Sequence, residues 1–511
     1  MAYSLEAPEK QPMLSRLQNL PRTAYIYLAL LIFSFVAPLA IRAVVPKSLS
    51  HQQATAEGKL SQQDFERYMS AETSVRMGIG KIRALSATGK MPNTKVLGRA
   101  LDKLKANPLA DAEADYRALS TATHVPNMDR RVLILDHALG RPWDDVFVKQ
   151  HLVPNLRLAK TSAAETSAEL LLWHALYADR HIAPASVPAA EQRIRGMNLK
   201  FLQDRALADL YTAAGQTALR DRAEARLTAV ADGATARQLA SGIFLLIGFL
   251  VGFTFLLLFL IAAGTRNWAA IGRVETAALR LGWGDLLDGF LFYLAFYRCL
   301  GLLTGLLLSA TDWSPPVHSY LLLEAGLQIG TGIVALAYLW RKARGRETTL
   351  ADIGLTTRRT IVADIGYGIL GFLAGLPIMM IMGLISHAIF RHNTATTPNP
   401  VLPLMVGTHD PLSRILIFLM ASVAAPFFEE TFFRGVLFTG LRTRYGWTVS
   451  ALLSATCFAL VHPMQDWLPI FALGFTFATM REMRQSLVPS MTAHFLQNTM
   501  SFVFITSLFS S

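Results

Sequence analysis

Pro411-Leu-Ser-Arg-Ile-Leu-Ile-Phe-Leu-Met-Ala-Ser-Val-Ala-Ala-Pro-Phe-Phe-Glu-Glu-Thr-Phe-Phe-Arg-Gly-Val-Leu-Phe-Thr-Gly-Leu441 is an apolar run long enough to cross a bilayer, yet it carries Glu429, Glu430 and Arg434 well inside it. A spanning helix needs about 20 apolar residues, and each charged side chain at mid-bilayer costs about 3 kcal/mol. Three such groups in one span need partners or a function. Helical geometry supplies one pair: Glu430 and Arg434 are four apart, stack on one face and neutralise each other. Glu429 lies about 100° round the helix, without that partner.

Outward from this run, further candidate membrane segments lie at about 24–45, 239–264, 286–310, 319–340, 362–390, 447–462, 466–480 and 488–509, nine in all with 411–441. The segment 466–480 covers only about 22 Å at 1.5 Å per residue, so it is expected to be tilted, re-entrant or shielded by protein. Apolar residues make up 52% of the 511, and the formal charge is +12. In a soluble protein that charge would suggest nucleic acid. Here it sits in short loops beside apolar runs, which is the membrane-orientation pattern, and no nucleic-acid partner is expected. The N-terminal tail with Lys10, Arg16 and Arg22, then Arg266, Arg273 and Arg280, then Arg341, Lys342, Arg344, Arg346, Arg358 and Arg359, then Arg442 and Arg444, then Arg481 and Arg484, fall in alternate loops. Those loops are placed on the cytoplasmic side. The run 24–45 is longer than a signal core, and Pro38 and Arg42 spoil a cleavage site, so it reads as a retained anchor. Cys299 and Cys457 lie inside apolar segments and suggest neither a disulfide scaffold nor a metal cluster.

The polar insertion 46–237 reads as helical. In Phe201-Leu-Gln-Asp-Arg-Ala-Leu-Ala-Asp-Leu-Tyr, and again from Asp221, apolar residues recur at three- and four-residue spacing, with Gly215 as a break. The expected fold is therefore all-α: a polytopic transmembrane helical bundle with an inserted extracytoplasmic α-helical domain. The segments run as a cytoplasmic tail 1–23, an anchor 24–45, the inserted domain 46–237, a membrane helix 238–264, a cytoplasmic loop 265–285 and a core 286–511. A multi-pass protein of a bacterial inner membrane fits this arrangement. The insertion is a candidate surface for a protein partner.

Two further motifs follow the first. Phe458-Ala-Leu-Val-His462 ends one apolar segment just before Pro463, and His494-Phe-Leu-Gln-Asn498 puts an imidazole and a carboxamide on one helical face. A lone membrane histidine is more often a helix-to-helix hydrogen bond, and two glutamates paired with arginines can simply pin helices. Taken together, Glu429-Glu430-x-x-x-Arg434, Phe458-x-x-x-His462 and His494-x-x-x-Asn498 resemble, in order, the signature motifs of the CAAX-protease and bacteriocin-processing (CPBP) family of intramembrane endopeptidases. The resemblance covers roughly 286–511, with the motifs confined to 411–500.

The resemblance implies hydrolysis of a peptide bond in a membrane-associated peptide or protein, prenylated (CAAX-type) or bacteriocin-like. Glu429 and His462 would activate water, His494 and Asn498 would stabilise the oxyanion, and Glu430, Arg434 and Phe458 would support them. An imidazole and an amide aimed at developing charge in a low-dielectric cleft suit that task. No Ser, Thr or Cys stands beside a base, which disfavours a covalent nucleophile. The resemblance supports a metal-free glutamate mechanism at least as well as a metalloprotease, but Glu429, His462 and His494 also match a catalytic zinc ligand set, and zinc is left open. The competing reading is a non-catalytic transporter or scaffold whose buried charges line a polar path. One arithmetic conflict remains: on straight helices Glu429 and His462 lie about 20–24 Å from the arginines at 442 and 444, whereas His494 is about 10 Å from the Arg484 side.

Overall fold

The computed structural model describes residues 21–44, 73, 108–265, 283–310, 317–343, 351–355, 360–390, 405–406, 410–442 and 444–509. The tail before residue 21, most of 46–107 and the loop arginines at 266, 273, 280, 344, 346, 358 and 359 lie outside them. Among the described residues there are fifteen helices and no strand, an all-α polytopic bundle. The chain divides into two compact units: Met1–Glu57, Leu245–Pro400 and His409–Phe502 form one, and Gly58–Phe244, Val401–Thr408 and Val503–Ser511 form the other.

The second unit holds α2 (Pro108–Thr123), α3 (Pro126–Ala138), α4 (Asp145–Phe147, a π turn Val148–Leu152, then Val153–Leu158), α5 (Ala163–Tyr177), α6 (Val187–Gly196), α7 (Phe201–Ala213) and the start of α8 (Thr217–Thr265). Start signals are local: Asp144 caps α4, and Ser162 with Glu165 forms a capping box on α5. Gly215, at φ +69, takes the left-handed turn that ends α7. Arg226 then reaches back to Asp204 at 2.8 Å, so the two helices double back about that glycine as a hairpin. Apolar positions at helical spacing meet in one core around Tyr116, Ile134, Leu152, Leu156, Trp173, Leu207 and Leu210.

The first unit holds α1 (Arg22–Val44), the rest of α8, α9 (Trp283–Ala310), α10 (Val317–Ala343) and α11 (Ile361–Phe390). It continues with α12 (Pro411–Phe418, a π turn Leu419–Ala424, Ala425–Glu430, a π turn Thr431–Phe438, Thr439–Arg442), α13 (Trp447–Leu460), α14 (Trp467–Arg484) and α15 (Val488–Leu508). Among the described residues, five helices are long and apolar enough to cross a membrane: Thr217–Ile261, Gly284–Leu307, His318–Lys342, Ile361–Phe390 and Pro411–Arg442. Apolar side chains such as Ile243, Leu250, Ile333 and Leu384 stand exposed on them, the arrangement a lipid-facing surface requires. The protein is an integral membrane protein. Arg22–Ser34 and Trp447–Leu460 are shorter apolar helices.

Polar bonds tie the bundle where apolar packing alone sets no register. Buried Asp288 on α9 accepts from Thr23 Oγ1 on α1 at 2.6 Å, from Tyr338 Oη on α10 at 2.6 Å, and from Lys342 Nζ. Close approach needs small residues: Gly332 on α10 lies directly against the Phe428 ring of α12. A Cβ on Gly474 of α14 would meet Ala455 Cα of α13 at 3.0 Å and Arg434 Nη2 at 3.2 Å.

Candidate active site

The motif helix α12 is not a plain α-helix, and its sequence says why. The first π turn sends the Ala425 N–H to the Met420 carbonyl, five residues back. The next donor along would be Pro426, which has no N–H. The Ala421 carbonyl therefore lacks its helical donor, and Asn498 Nδ2 of α15 supplies one at 2.7 Å. That bond uses one of the two amide hydrogens of Asn498 and fixes its carboxamide.

In the second π turn, carbonyls are taken by hydroxyls: Ser454 Oγ of α13 donates to Phe433 O at 3.0 Å, and Thr439 Oγ1 to Arg434 O at 3.0 Å. Single π turns inside α-helices recur at functional sites. The second of them lies between Glu429 and Arg442 and shortens that climb slightly, since it takes up an extra residue. One extra residue is worth about 1.5 Å, so the depths counted on straight helices still conflict, yet Glu429 stands 3.8 Å from His494.

Glu430 and Arg434 form a fully buried ion pair, Oε1 to Nη1 2.9 Å, both side chains at 0% exposure. The guanidinium lies over the Phe458 ring at 4.2 Å and the Phe477 ring at 5.2 Å. Its Nε and Nη2, and Glu430 Oε2, have no hydrogen-bond partner among the described residues. Glu430 Oε1 also accepts from His494 Nδ1 at 3.1 Å. A carboxylate only accepts, so the proton on this ring sits on Nδ1, and Nε2 faces Glu429 Oε2 at 3.8 Å. Glu429 is 23% exposed at its side chain where Glu430 is closed off. Two adjacent glutamates thus occupy opposite environments, one tied to arginine and one open.

His462 follows the last turn of α13. Phe458 O is one of the terminal carbonyls that a helix end leaves without a partner, and His462 Nδ1 donates to it at 2.7 Å. In the neutral ring this leaves the Nε2 lone pair free. Trp467 Nε1 donates to the His462 carbonyl at 2.9 Å and holds the turn before Pro463 in place. The Phe458 ring contacts both imidazoles edge-on, at 5.0 Å from His462 and 5.9 Å from His494, while Phe477 stacks on His494 at 5.1 Å. Glu429, Glu430, Arg434, Phe458 and His494 are linked by these contacts, with His462 joined through Phe458, while Asn498 is tied to the Ala421 carbonyl of α12.

Glu429, His462 and His494 are the residues that the sequence offers to a zinc ion. Among the described residues no three His, Cys, Asp or Glu side chains converge as a metal needs. Both His494 nitrogens are directed at glutamates.

Spacing and resemblance did not point to Tyr293 of α9, which stacks flat on Phe432 at 4.0 Å, three residues from Glu429. It is one of the aromatic residues of an ordinary apolar run, and no signal singles it out.

Residues 411–500 match the family model described as type II CAAX prenyl endopeptidase Rce1-like. The match takes in α12, α13, α14 and most of α15, is consistent with a CPBP-type protease, and supports an intramembrane endopeptidase activity in general terms. No curated protein and no solved structure matches the chain.

Proposed function

We propose that this protein is a membrane-embedded endopeptidase in which Glu429 and His462 activate a water molecule against a peptide bond of a membrane-associated substrate. The observation that carries the reading is the contrast within one turn of α12. Glu430 is neutralised by Arg434 and fully buried, whereas Glu429 is partly open and faces an imidazole at 3.8 Å.

The chemistry follows from the donors. The water oxygen attacks the scissile carbonyl carbon while Glu429 takes one water proton, and the bare Nε2 of His462 accepts a hydrogen bond from the other. The remaining amide hydrogen of Asn498 and the His494 ring, when protonated at Nε2, donate to the oxyanion. Collapse breaks the C–N bond, and the proton held by Glu429 passes to the leaving amine. Glu430 and Arg434 position His494 through its Nδ1. Prenylated CAAX-type or bacteriocin-like peptides are the substrate classes that suit this site, and no step runs through a metal.

The test is cleavage of a membrane peptide by purified protein. Glu429→Gln and His462→Ala are expected to lose activity while staying folded, and unchanged proteolysis by either variant removes the assignment. Comparing membrane proteomes of cells carrying wild type and Glu429→Gln would identify the substrate.

The arginine pattern supports a topology with a cytoplasmic N-terminus, nine spans in a bacterial inner membrane, an extracytoplasmic insertion 46–237 that binds a protein partner, and a peptidase core 286–511. A cysteine at exposed Thr121 should react with an impermeant maleimide on intact cells. Labelling only after lysis reverses the orientation.

A further inference from the structure

Immediately before Asn498 stands Gln497, which the water-activating chemistry does not use. It is 7% exposed and lies on the face that α15 turns inward with Pro489, Ser490, Ala493 and His494. Its Nε2 donates to Ser501 Oγ at 3.3 Å, but Oε1 is buried with no hydrogen-bond partner. On α12, Ser422 directly follows Ala421, the residue whose carbonyl takes Asn498. Ser422 is fully buried, and its Oγ likewise has no partner. Two orphaned polar groups therefore adjoin, in sequence, the Asn498–Ala421 bond between these helices.

A buried acceptor left without a donor costs stability, because nothing replaces the water it gave up. A peptide drawn into a water-poor cleft brings the complementary problem, because its backbone N–H and C=O groups lose their water and each needs a partner. The two deficits cancel when they meet. Gln497 is three residues past His494, about 4.5 Å along the helix, and one residue of extended chain rises about 3.3 Å. The matching N–H therefore lies within one or two residues of the scissile bond.

We propose that Gln497 is a substrate-backbone subsite: its Oε1 accepts one peptide N–H of an extended substrate beside the scissile bond, and Ser422 Oγ offers a second contact. The inference rests on the endopeptidase reading. A subsite of this kind holds the chain extended without reading side chains, which leaves sequence selectivity to other contacts.

The experiment uses the full chain in lipid nanodiscs and a membrane peptide that the wild type cleaves. A set of analogues replaces each backbone N–H near the scissile bond, other than the scissile one, by an ester oxygen. One analogue is expected to be cleaved roughly 10-fold more slowly by wild type. Gln497→Met, close in shape but without the acceptor, is expected to cleave the all-amide peptide with a similar loss and to stop distinguishing that analogue, without a lower melting temperature.

A flat ester profile with active wild type overturns the subsite, and needs no variant to fold. So does Gln497→Met that cleaves the all-amide peptide at the wild-type rate or keeps the wild-type ester profile. A lower melting temperature with equal slowing on every analogue assigns Gln497 to packing and also overturns it. Failure of wild type to cleave any peptide removes the endopeptidase reading and the subsite together.

Discussion

Charges are buried in both units of the molecule, and two clusters, one in each, are finished differently. In the helical unit, Glu169 receives Arg130 Nε and Nη2, each at 2.7 Å, and Trp173 Nε1 at 3.1 Å. Asp129 receives Ser120 Oγ and, at 2.7 Å, Asn155 Nδ2. Even so closed a network leaves burial dominant, and it holds the Asp129 carboxyl above its usual range. In the membrane unit the cluster is left open: Glu430 Oε2, Arg434 Nε and Nη2, and Gln497 Oε1 lack partners, and Glu429 stands 3.8 Å from its nearest imidazole nitrogen. A network built to hold helices together saturates its donors and acceptors, since every orphan costs stability. One that must receive a water and a peptide keeps some of them unspent.

The strongest way to break this comparison is at the open end. Glu429→Gln keeps the shape and removes the base, so cleavage should fall by about 100- to 10,000-fold, the range of a positioned general base. Melting temperature should hardly move. A large drop in melting temperature would place Glu429 among the closed, structural groups.

Next is the closed ion pair inside the site, Glu430 with Arg434. Arg434→Met leaves Glu430 buried without its cation and should destabilise by about 3–5 kcal/mol. Adding Glu430→Gln should recover much of that loss in a thermal melt, because no lone charge remains. Cleavage should stay low in both variants, since Glu430 holds His494 Nδ1.

How much of this was legible follows from the range of each interaction. The Glu430–Arg434 pair and the hairpin about Gly215 are local, and spacing alone predicts them. The membrane spans follow from hydropathy. The π turns are not visible in the pattern, yet they decide which carbonyl is orphaned: Pro426 announces a missing donor, but only the shifted register makes Ala421 the residue that loses it. The approach of Glu429 to His494 across 65 positions is beyond periodicity, and straight-helix depths argued against it. Gln497 carries no motif. Its signal is an unpaired oxygen, which exists only once the neighbours are placed.

The closed network around Asp129 offers a smaller effect with the opposite signature. Asn155→Ala withdraws a donor from Asp129, which is wholly buried, and should cost about 1–3 kcal/mol. Hydrogen exchange of α3 and α4 in the full chain should report it, with cleavage unchanged. Lost cleavage at full stability would mean that this network is not merely structural.

The smallest effect is one of pH, and its sign is opposite to that of a paired histidine. Burial lowers His137 below its usual 6.5, with Asp209 working against that shift and Arg180 and Arg205 adding to it. The folded state therefore binds the proton less readily than the unfolded chain. Stability from this group is complete above pH 6.5 and falls as pH drops below that value, by less than the about 1.4 kcal/mol per pH unit that one full proton would give. His137 is half-buried and stacks on Tyr177 at 4.7 Å, so substitution must preserve that contact. His137→Phe keeps a ring and cannot titrate. It should flatten the stability slope below pH 6.5, read as exchange protection of α3 and α5. An unchanged slope would remove His137 as the source of the acid sensitivity, and the raised carboxylates Asp129 and Asp136 could not take its place. Those two contribute with the reverse sign, because a raised carboxyl stabilises the fold as pH falls toward its usual value of 3.8.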